Sequence, residues 1–236
     1  MNRRTWLSSL GISAAGAFTG LSARTDSGGA KQSWVVSLES FRASRADQMP
    51  QLHSYLGGTF LPYMTQLHRG PKMFLDAIVA PHTPQVLVLT AFSSFAEMLE
   101  LRGKVAAHRE IQRARADWAC GESQILVTSP DSLRFQNGPA RRRNGIFELR
   151  AYHAPAWGDR PPTAIPAFGR AGIRPILSAS AAGEHLPRFT FLVAFENLAT
   201  RQEAWERLDG DSQWGGLDAK VTSASIYKLA PYSPLS

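Results

Sequence analysis

Cysteine is nearly absent: Cys120 is the single one in 236 residues. A lone thiol can neither close an internal disulfide nor build a thiolate metal cluster, so both frameworks are excluded. A membrane-spanning run is missing as well. The uncharged apolar stretch between Trp6 and Leu21 is about 15 residues long, short of a permanent transmembrane helix. Glycine (19) and proline (15) stand at ordinary counts, which rules out collagen-like and low-complexity classes. Familiar catalytic signatures are also lacking. No serine sits in a nucleophile elbow, and Gly57-Gly58 and Gly215-Gly216 do not follow a strand in a phosphate-binding pattern. No two histidines flank an acid at the spacing of a zinc-hydrolase helix.

What the chain does have is a core. Hydrophobic residues make up 44% and charged residues 19%, a globular composition and not a disordered one. The length suits one large domain or two of about 100 residues each. Lys+Arg 26 against Asp+Glu 19 gives a net charge of +7. No basic helix or aromatic-basic platform accompanies that surplus, so nucleic acid is not an expected partner.

Residues 1–23 read as an address. Arg3-Arg4 precedes Trp6-Leu7, the apolar run follows, and Leu21-Ser22-Ala23 is a passable cleavage site. The pattern Asn2-Arg3-Arg4-Thr5-Trp6-Leu7 resembles a twin-arginine signal and predicts a periplasmic or secreted protein exported folded. Removing that segment takes away Arg3 and Arg4 and no acid, which lowers the charge from +7 to +5. Neither a stable membrane span nor a disulfide is then expected.

The remaining chain repeats itself. Pro84 to Phe95 can be laid on Pro187 to Leu198: proline, apolar strand, Ala-Phe, two polar residues, then an apolar helix start. Each half opens with an alternating strand, Val35–Arg42 and Ile146–His153. Helical patterns run from Phe95 to about Trp118 and from Leu198 to about Leu208, and closing strands fall near 124–128 and 223–229. A turn-rich linker at 136–145, containing Arg141-Arg142-Arg143, divides the halves. Strand, helix, strand, strand, helix, strand is the order of a ferredoxin-like unit, with helices on one face only. Two such units can press their bare faces together. The expected fold is therefore α+β: two ferredoxin-like repeats forming a pseudo-dimeric α/β barrel, with pockets between each sheet and its helices.

Phe147-Glu-Leu-Arg-Ala-Tyr152, Pro187-Arg-Phe-Thr-Phe-Leu192, Phe195-Glu-Asn-Leu-Ala199, Arg201-Gln-Glu-Ala-Trp205 and the tail Pro231-Tyr-Ser-Pro234 resemble a NIPSNAP domain of the dimeric α/β-barrel superfamily. The resemblance covers 146–236 well. A weaker copy over 34–135 rests on Tyr55-Leu56, Leu61-Pro62, Thr83-Pro84 and Ala91-Phe92. With its leader, the chain is similar to the exported bacterial branch of that family. What the resemblance implies about activity is thin, since the wider superfamily spans monooxygenases, haem-handling enzymes and stress-response barrels. The expected function is a small-ligand or protein binding module with no defined catalysis. The alternative is a small-molecule enzyme of monooxygenase or isomerase type. No cofactor is demanded by these residues, and haem stays open as one; a homodimer stays open too.

Five residues are candidates for a ligand pocket. His108 follows Val105 at spacing three on the stripe Phe95, Met98, Leu101, Val105, Ile111, Trp118, and could look into a sheet–helix pocket, or be a half-buried histidine satisfied by a backbone carbonyl, the commoner case. Glu148, Arg150 and Tyr152 alternate along one strand and so share a face. They could grip an oxyanion, or form an ordinary solvated salt bridge while Phe147 and Leu149 point inward. Trp205 could stack a flat ligand or anchor its helix. The first half aligns Ser37, Glu39 and Phe41 with Glu148, Arg150 and Tyr152, so a polar site of that kind is expected in the second half alone. Pro155, Pro161, Pro162 and Pro166 predict a shortened helix after Tyr152. Glu97 and Glu100 read as a solvated helix face.

Overall fold

The computed structural model describes residues 33–115, 117–133, 145–155, 166–182, 188–215 and 220–234. The leader with Arg3 and Arg4, the linker up to residue 144, His185, Pro161 and Pro162 lie outside the described residues.

The first repeat opens with β1 (Val35–Arg42). A continuous helical segment follows: α1 (Met49–Tyr55), a single wide turn at Leu56–Phe60, and α2 (Leu61–Leu67). Then come β2 (Lys72–Val79), β3 (Gln85–Phe92), α3 (Phe95–Ala107), α4 (Arg109–Arg115) and β4 (Ala119–Leu133). The second repeat runs β5 (Ile146–His153), α5 (Pro166–Ala171), β6 (Arg174–Ala181) and β7 (Arg188–Phe195). It ends with α6 (Leu198–Asp209), α7 (Ser212–Gly215) and β8 (Lys220–Leu229).

All eight strands close into one antiparallel barrel in the order β1-β3-β2-β8-β5-β7-β6-β4. Each repeat contributes a sheet of order 4-1-3-2 in its own numbering, the ferredoxin-like arrangement. The two sheets join edge to edge through β2–β8 and β4–β6. Closure removes the sheet edges that would otherwise invite pairing with other chains.

Because side chains alternate across a strand, each strand feeds two cores. Val36, Leu38, Leu87, Leu89, Phe147 and Leu192 point into the lumen, where both repeats meet. On the outer face of the first sheet, Phe41, Val88 and Phe92 pack against Leu52, Phe60 and Leu101 of its helices. The outer face of the second sheet sets Tyr152, Phe189 and Phe191 against Phe168, Trp205 and Leu208. Burial on both faces explains why β3 and β7 read as near-continuous apolar runs.

The two repeats keep register over their central part. β3 and β7 are offset by 103 residues, Gln85 to Arg188, and the helices that follow start at Phe95 and Leu198, the same offset. Their N-caps correspond as well. The Ser94 hydroxyl accepts from the Glu97 N–H at 3.2 Å, and the Asn197 side-chain carbonyl accepts from the Thr200 N–H at 3.0 Å. The tail of the second repeat then crosses to the first. The Ser233 hydroxyl accepts from the Phe74 N–H at 2.8 Å, and the Tyr232 ring lies where a Cβ at Gly57 would stand 2.8 Å away. Only glycine at position 57 lets the tail dock without displacing that ring.

One expectation is corrected. The stripe from Phe95 to Trp118 is not one helix: it breaks at His108, which takes extended backbone between α3 and α4, and Phe95 is 45% exposed. Glu97 faces solvent only in part, with its side chain 38% exposed. Its carboxylate accepts from the Ser93 N–H and hydroxyl at 2.7 and 2.6 Å and meets Nδ1 of the buried His68 at 2.9 Å. His68 is held further by stacking on Phe92 and by the Ala91 carbonyl, 2.9 Å from Nε2.

Hydrogen bonds from Ser93 hold the Glu97 carboxyl below its ordinary range; burial opposes this and His68 adds to it. A depressed folded-state value means stability that is present above the usual carboxylate range and lost as pH falls through the lowered value. Urea unfolding across pH 2 to 7 should therefore show Glu97→Gln less stable at neutral pH, with a shallower acid limb than wild type. An unchanged acid limb would remove Glu97 from the fold's pH dependence.

Candidate functional site

Of the five residues singled out by sequence, the structure brings four together: Glu148, Arg150, Tyr152 and Trp205. They do not form the solvated salt bridge expected of an outward strand face. α6 lies across that face, and Glu148 is completely buried beneath it. Its carboxylate accepts from Arg150 Nε at 2.6 Å, from Arg201 Nε and Nη2 at 2.8 and 3.0 Å, and from the Trp205 indole N–H at 2.6 Å. The Arg150 guanidinium also lies 3.6 Å from the centre of the Trp205 ring, a cation–π contact. Tyr152 is buried against Phe191 and Trp214, and burial pushes its hydroxyl above the usual tyrosine range although Arg150 pulls the other way. The hydroxyl accepts from Arg150 Nη1 at 3.5 Å.

Sequence spacing found three members of this group but missed Arg201, which reaches Glu148 from α6. The network spends both carboxylate oxygens internally, and the Trp205 indole fills the space between sheet and helix. The short α5, with Phe168 near Trp205 and Trp214, completes the filling. The second repeat thus holds a closed polar core.

His108 lies apart from that group, in the first repeat. Its Nδ1 accepts from the Ile111 N–H at 3.3 Å, which caps α4, and its ring packs on Tyr63 with centroids 4.3 Å apart. It is half-buried, held by that hydrogen bond and by the Tyr63 ring.

An open cleft does occur at the matching place in the first repeat. It is a cavity of about 310 Å³ between β1, β3 and the helices. Phe60, Met64, Val88, Phe92, Leu101 and Val105 form its apolar walls, while Ser37, Glu39, Thr90, Arg102, Gln112 and Arg115 supply polar groups. The repeat offsets explain why it is open. Ser37 stands where the second repeat has Glu148, and Arg102 where it has Trp205. A carboxylate and an indole are thereby replaced by a hydroxyl and a guanidinium at the rim. Arg102 Nη2 donates to the Ser37 hydroxyl at 3.1 Å and lies 3.8 Å from Glu39. Arg115 Nη2 reaches Glu39 at 3.3 Å, with its guanidinium over the Phe41 ring. Among the described residues lining the cleft, two guanidiniums stand beside one carboxylate. The volume lies at the lower end of the ~300–1,000 Å³ typical of small-molecule sites.

Comparison with solved structures supports the fold. A mutant chlorite dismutase from Candidatus Nitrospira defluvii aligns with a TM-score of 0.59 at 9% identity, covering 84% of this chain and 92% of that one. A heme-binding protein from Thermus thermophilus aligns with a TM-score of 0.54 at 12% identity, over 85% and 92%. At such identities the likeness concerns architecture: the chain has the chlorite dismutase-like dimeric α/β-barrel fold. A scan of protein-family models finds no match, and neither does a search of curated proteins.

Haem, which those neighbours bring into question, takes an axial His, Cys, Met or Tyr. Among the described residues lining the cleft, Met64 alone is of these types, and none of them is a histidine. Among the described residues no group of three or more His, Cys, Asp or Glu could hold a metal ion. The residues lining this cleft therefore do not fit haem.

The second-repeat network makes a sharp stability prediction. Glu148→Gln keeps the shape and removes the charge that two half-buried guanidiniums share. Breaking a buried ion pair on one side costs about 3–5 kcal/mol, and the residual exposure of both arginines places this case near the lower figure. Urea unfolding of Glu148→Gln reads it directly, and a loss below about 1 kcal/mol would show the pair to be solvated after all.

Proposed function

We propose that this protein is an exported, NIPSNAP-like small-molecule enzyme of the dimeric α/β-barrel superfamily. Its ligand lies in the first-repeat cleft, not in the second repeat where the sequence resemblance is stronger. The single observation behind this is the cleft itself, an apolar chamber with a cationic rim at the position that the second repeat plugs with Trp205 and Glu148. The ligand it suits is a small organic acid with a flat or aliphatic body. Such a body would lie against Phe60, Phe92 and Leu101, and its anionic group would meet Arg102, Arg115 and the Ser37 hydroxyl.

An enzyme is favoured over a passive binder by the solved neighbours, which include chlorite dismutases. The competing reading, a binding module without turnover, has one feature on its side: the Glu39 carboxylate is engaged by both arginines. Export rests on Arg3-Arg4 and the apolar run behind them. One chain supplies both halves of the barrel, so any homodimer would associate whole barrels.

Native mass spectrometry and thermal unfolding with benzoate and hexanoate test the cleft. Wild type should bind at least one of them and Arg102→Ala should weaken binding about tenfold, the ~1.4 kcal/mol of a charge-assisted hydrogen bond. Ser37→Glu, which installs the second repeat's carboxylate, should abolish binding while the fold persists. Consumption of the bound acid, followed by NMR, separates enzyme from binder. Binding that ignores both substitutions would overturn the assignment of the cleft.

A further inference from the structure

The lumen of the barrel is apolar along most of its length, but not at one mouth. There Arg42 at the end of β1, Gln85 at the start of β3, Arg188 and Thr190 on β7, and Ser223 and Ser225 on β8 converge on a cavity of about 180 Å³. These positions point inward by the same alternation that buries Leu38, Leu87 and Leu192 deeper in the barrel. A barrel of this size is ordinarily filled by apolar side chains. Two arginines at inward positions are therefore costly unless something is held there.

The hydrogen-bond inventory of this mouth does not close. Arg42 Nε, Arg188 Nε, the Gln85 side-chain carbonyl and the Thr190 hydroxyl are all buried without a partner. Thr190 is 1% exposed and Gln85 3%. Buried polar atoms are nearly always satisfied, and four orphans facing one small cavity call for a common partner. No carboxylate is present among the described residues lining the cavity. Gly121 leaves room beside Arg42: a Cβ there would stand 2.7 Å from the guanidinium.

We infer that this mouth is a binding site for a small oxyanion, separate from the sheet–helix cleft. Both guanidiniums and the Thr190 hydroxyl donate to it, and the Gln85 carbonyl takes a proton of a hydrogenphosphate or of a water bound with the anion. Guanidinium pairs suit phosphate, sulfate or carboxylate groups because their N–H bonds fork onto paired oxygens. The cavity is below the size of ordinary organic-ligand sites, which favours the anion alone or the end of a longer molecule entering from solvent.

Inorganic phosphate, sulfate and acetate are the probes, each added to the full exported chain at constant ionic strength with chloride as reference. At least one of them should raise Tm saturably in the millimolar range. Phosphate or sulfate acting without acetate assigns a tetrahedral ion; acetate acting alone assigns a carboxylate group. Arg188→Met should weaken the response at least tenfold, and Arg102→Ala should leave it intact. Thr190→Val keeps the shape should Arg188→Met fail to fold. It should raise Tm in chloride, by removing an unsatisfied hydroxyl, and reduce the gain from the anion. A response equal to that of chloride overturns the inference. So does a response abolished by Arg102→Ala and retained in Arg188→Met, or a crystal grown in phosphate that shows only water between Arg42 and Arg188.

Discussion

A four-stranded sheet with helices on one side leaves its other side apolar and uncovered, and the burial of those two bare faces against each other organises this chain. Phe147 and Leu192 from one repeat meet Val36, Leu38 and Leu89 from the other in a single lumen core. Neither repeat can cover that face with its own helices, because these already sit on the opposite side. The tail strengthens the coupling, since Ser233 and Tyr232 of the second repeat close over Phe74 and Gly57 of the first. Everything outside the lumen is then free to diverge between the repeats.

Divergence is what the outer faces show. Equivalent positions hold Glu148 and Trp205 in one repeat and Ser37 and Arg102 in the other, and the first pair fills the space that the second leaves open. The filled version is not an obvious gain in stability. Burying Glu148 with two arginines carries a desolvation cost that good geometry offsets only in part, and an apolar plug of the same volume would do as well or better. What the network does supply is direction: three hydrogen bonds donated from α6, two by Arg201 and one by Trp205, fix the angle at which α6 lies on β5. The first repeat has no such plug, and its long helical segment from Met49 to Leu67 instead contributes Phe60 and Met64 as cleft walls.

Much of the architecture was legible because it depends on local patterns. The bounds of β1 and β5 follow from alternation. The common offset of β3 with β7, and of the helices behind them, follows from a repeated string that ends in an N-cap. The break at His108 was hidden because apolar spacing continues through it: Ile111 is buried on α4 much as Val105 is on α3. Alternation also told that Glu148, Arg150 and Tyr152 share a face, but not that a helix covers it. That fact depends on α6, 53 residues further along the chain at Arg201. The cleft was harder still, since it arises from what Ser37 lacks. A small residue in a strand gives no signal until its larger equivalent is seen filling the same place in the other repeat.

The period-two geometry of β1 has a last consequence for how the two candidate sites relate. Ser37 and Glu39 face outward to the cleft, while Leu38, Ser40 and Arg42 face inward to the lumen mouth. β1 therefore serves both sites through alternate residues, and β3 does the same, with Val88, Thr90 and Phe92 on the cleft and Gln85 and Leu87 on the mouth. Strands buried on both faces have strongly specified register, because a one-residue slip would send Arg42 outward and Glu39 into the lumen. Ligands at the two sites could thus influence each other through these strands only by shifting β1 or β3, which pair with each other along their whole length. Groups without shared partners act additively to within a few tenths of a kcal/mol. The fold therefore argues for two independent sites and against an allosteric pair.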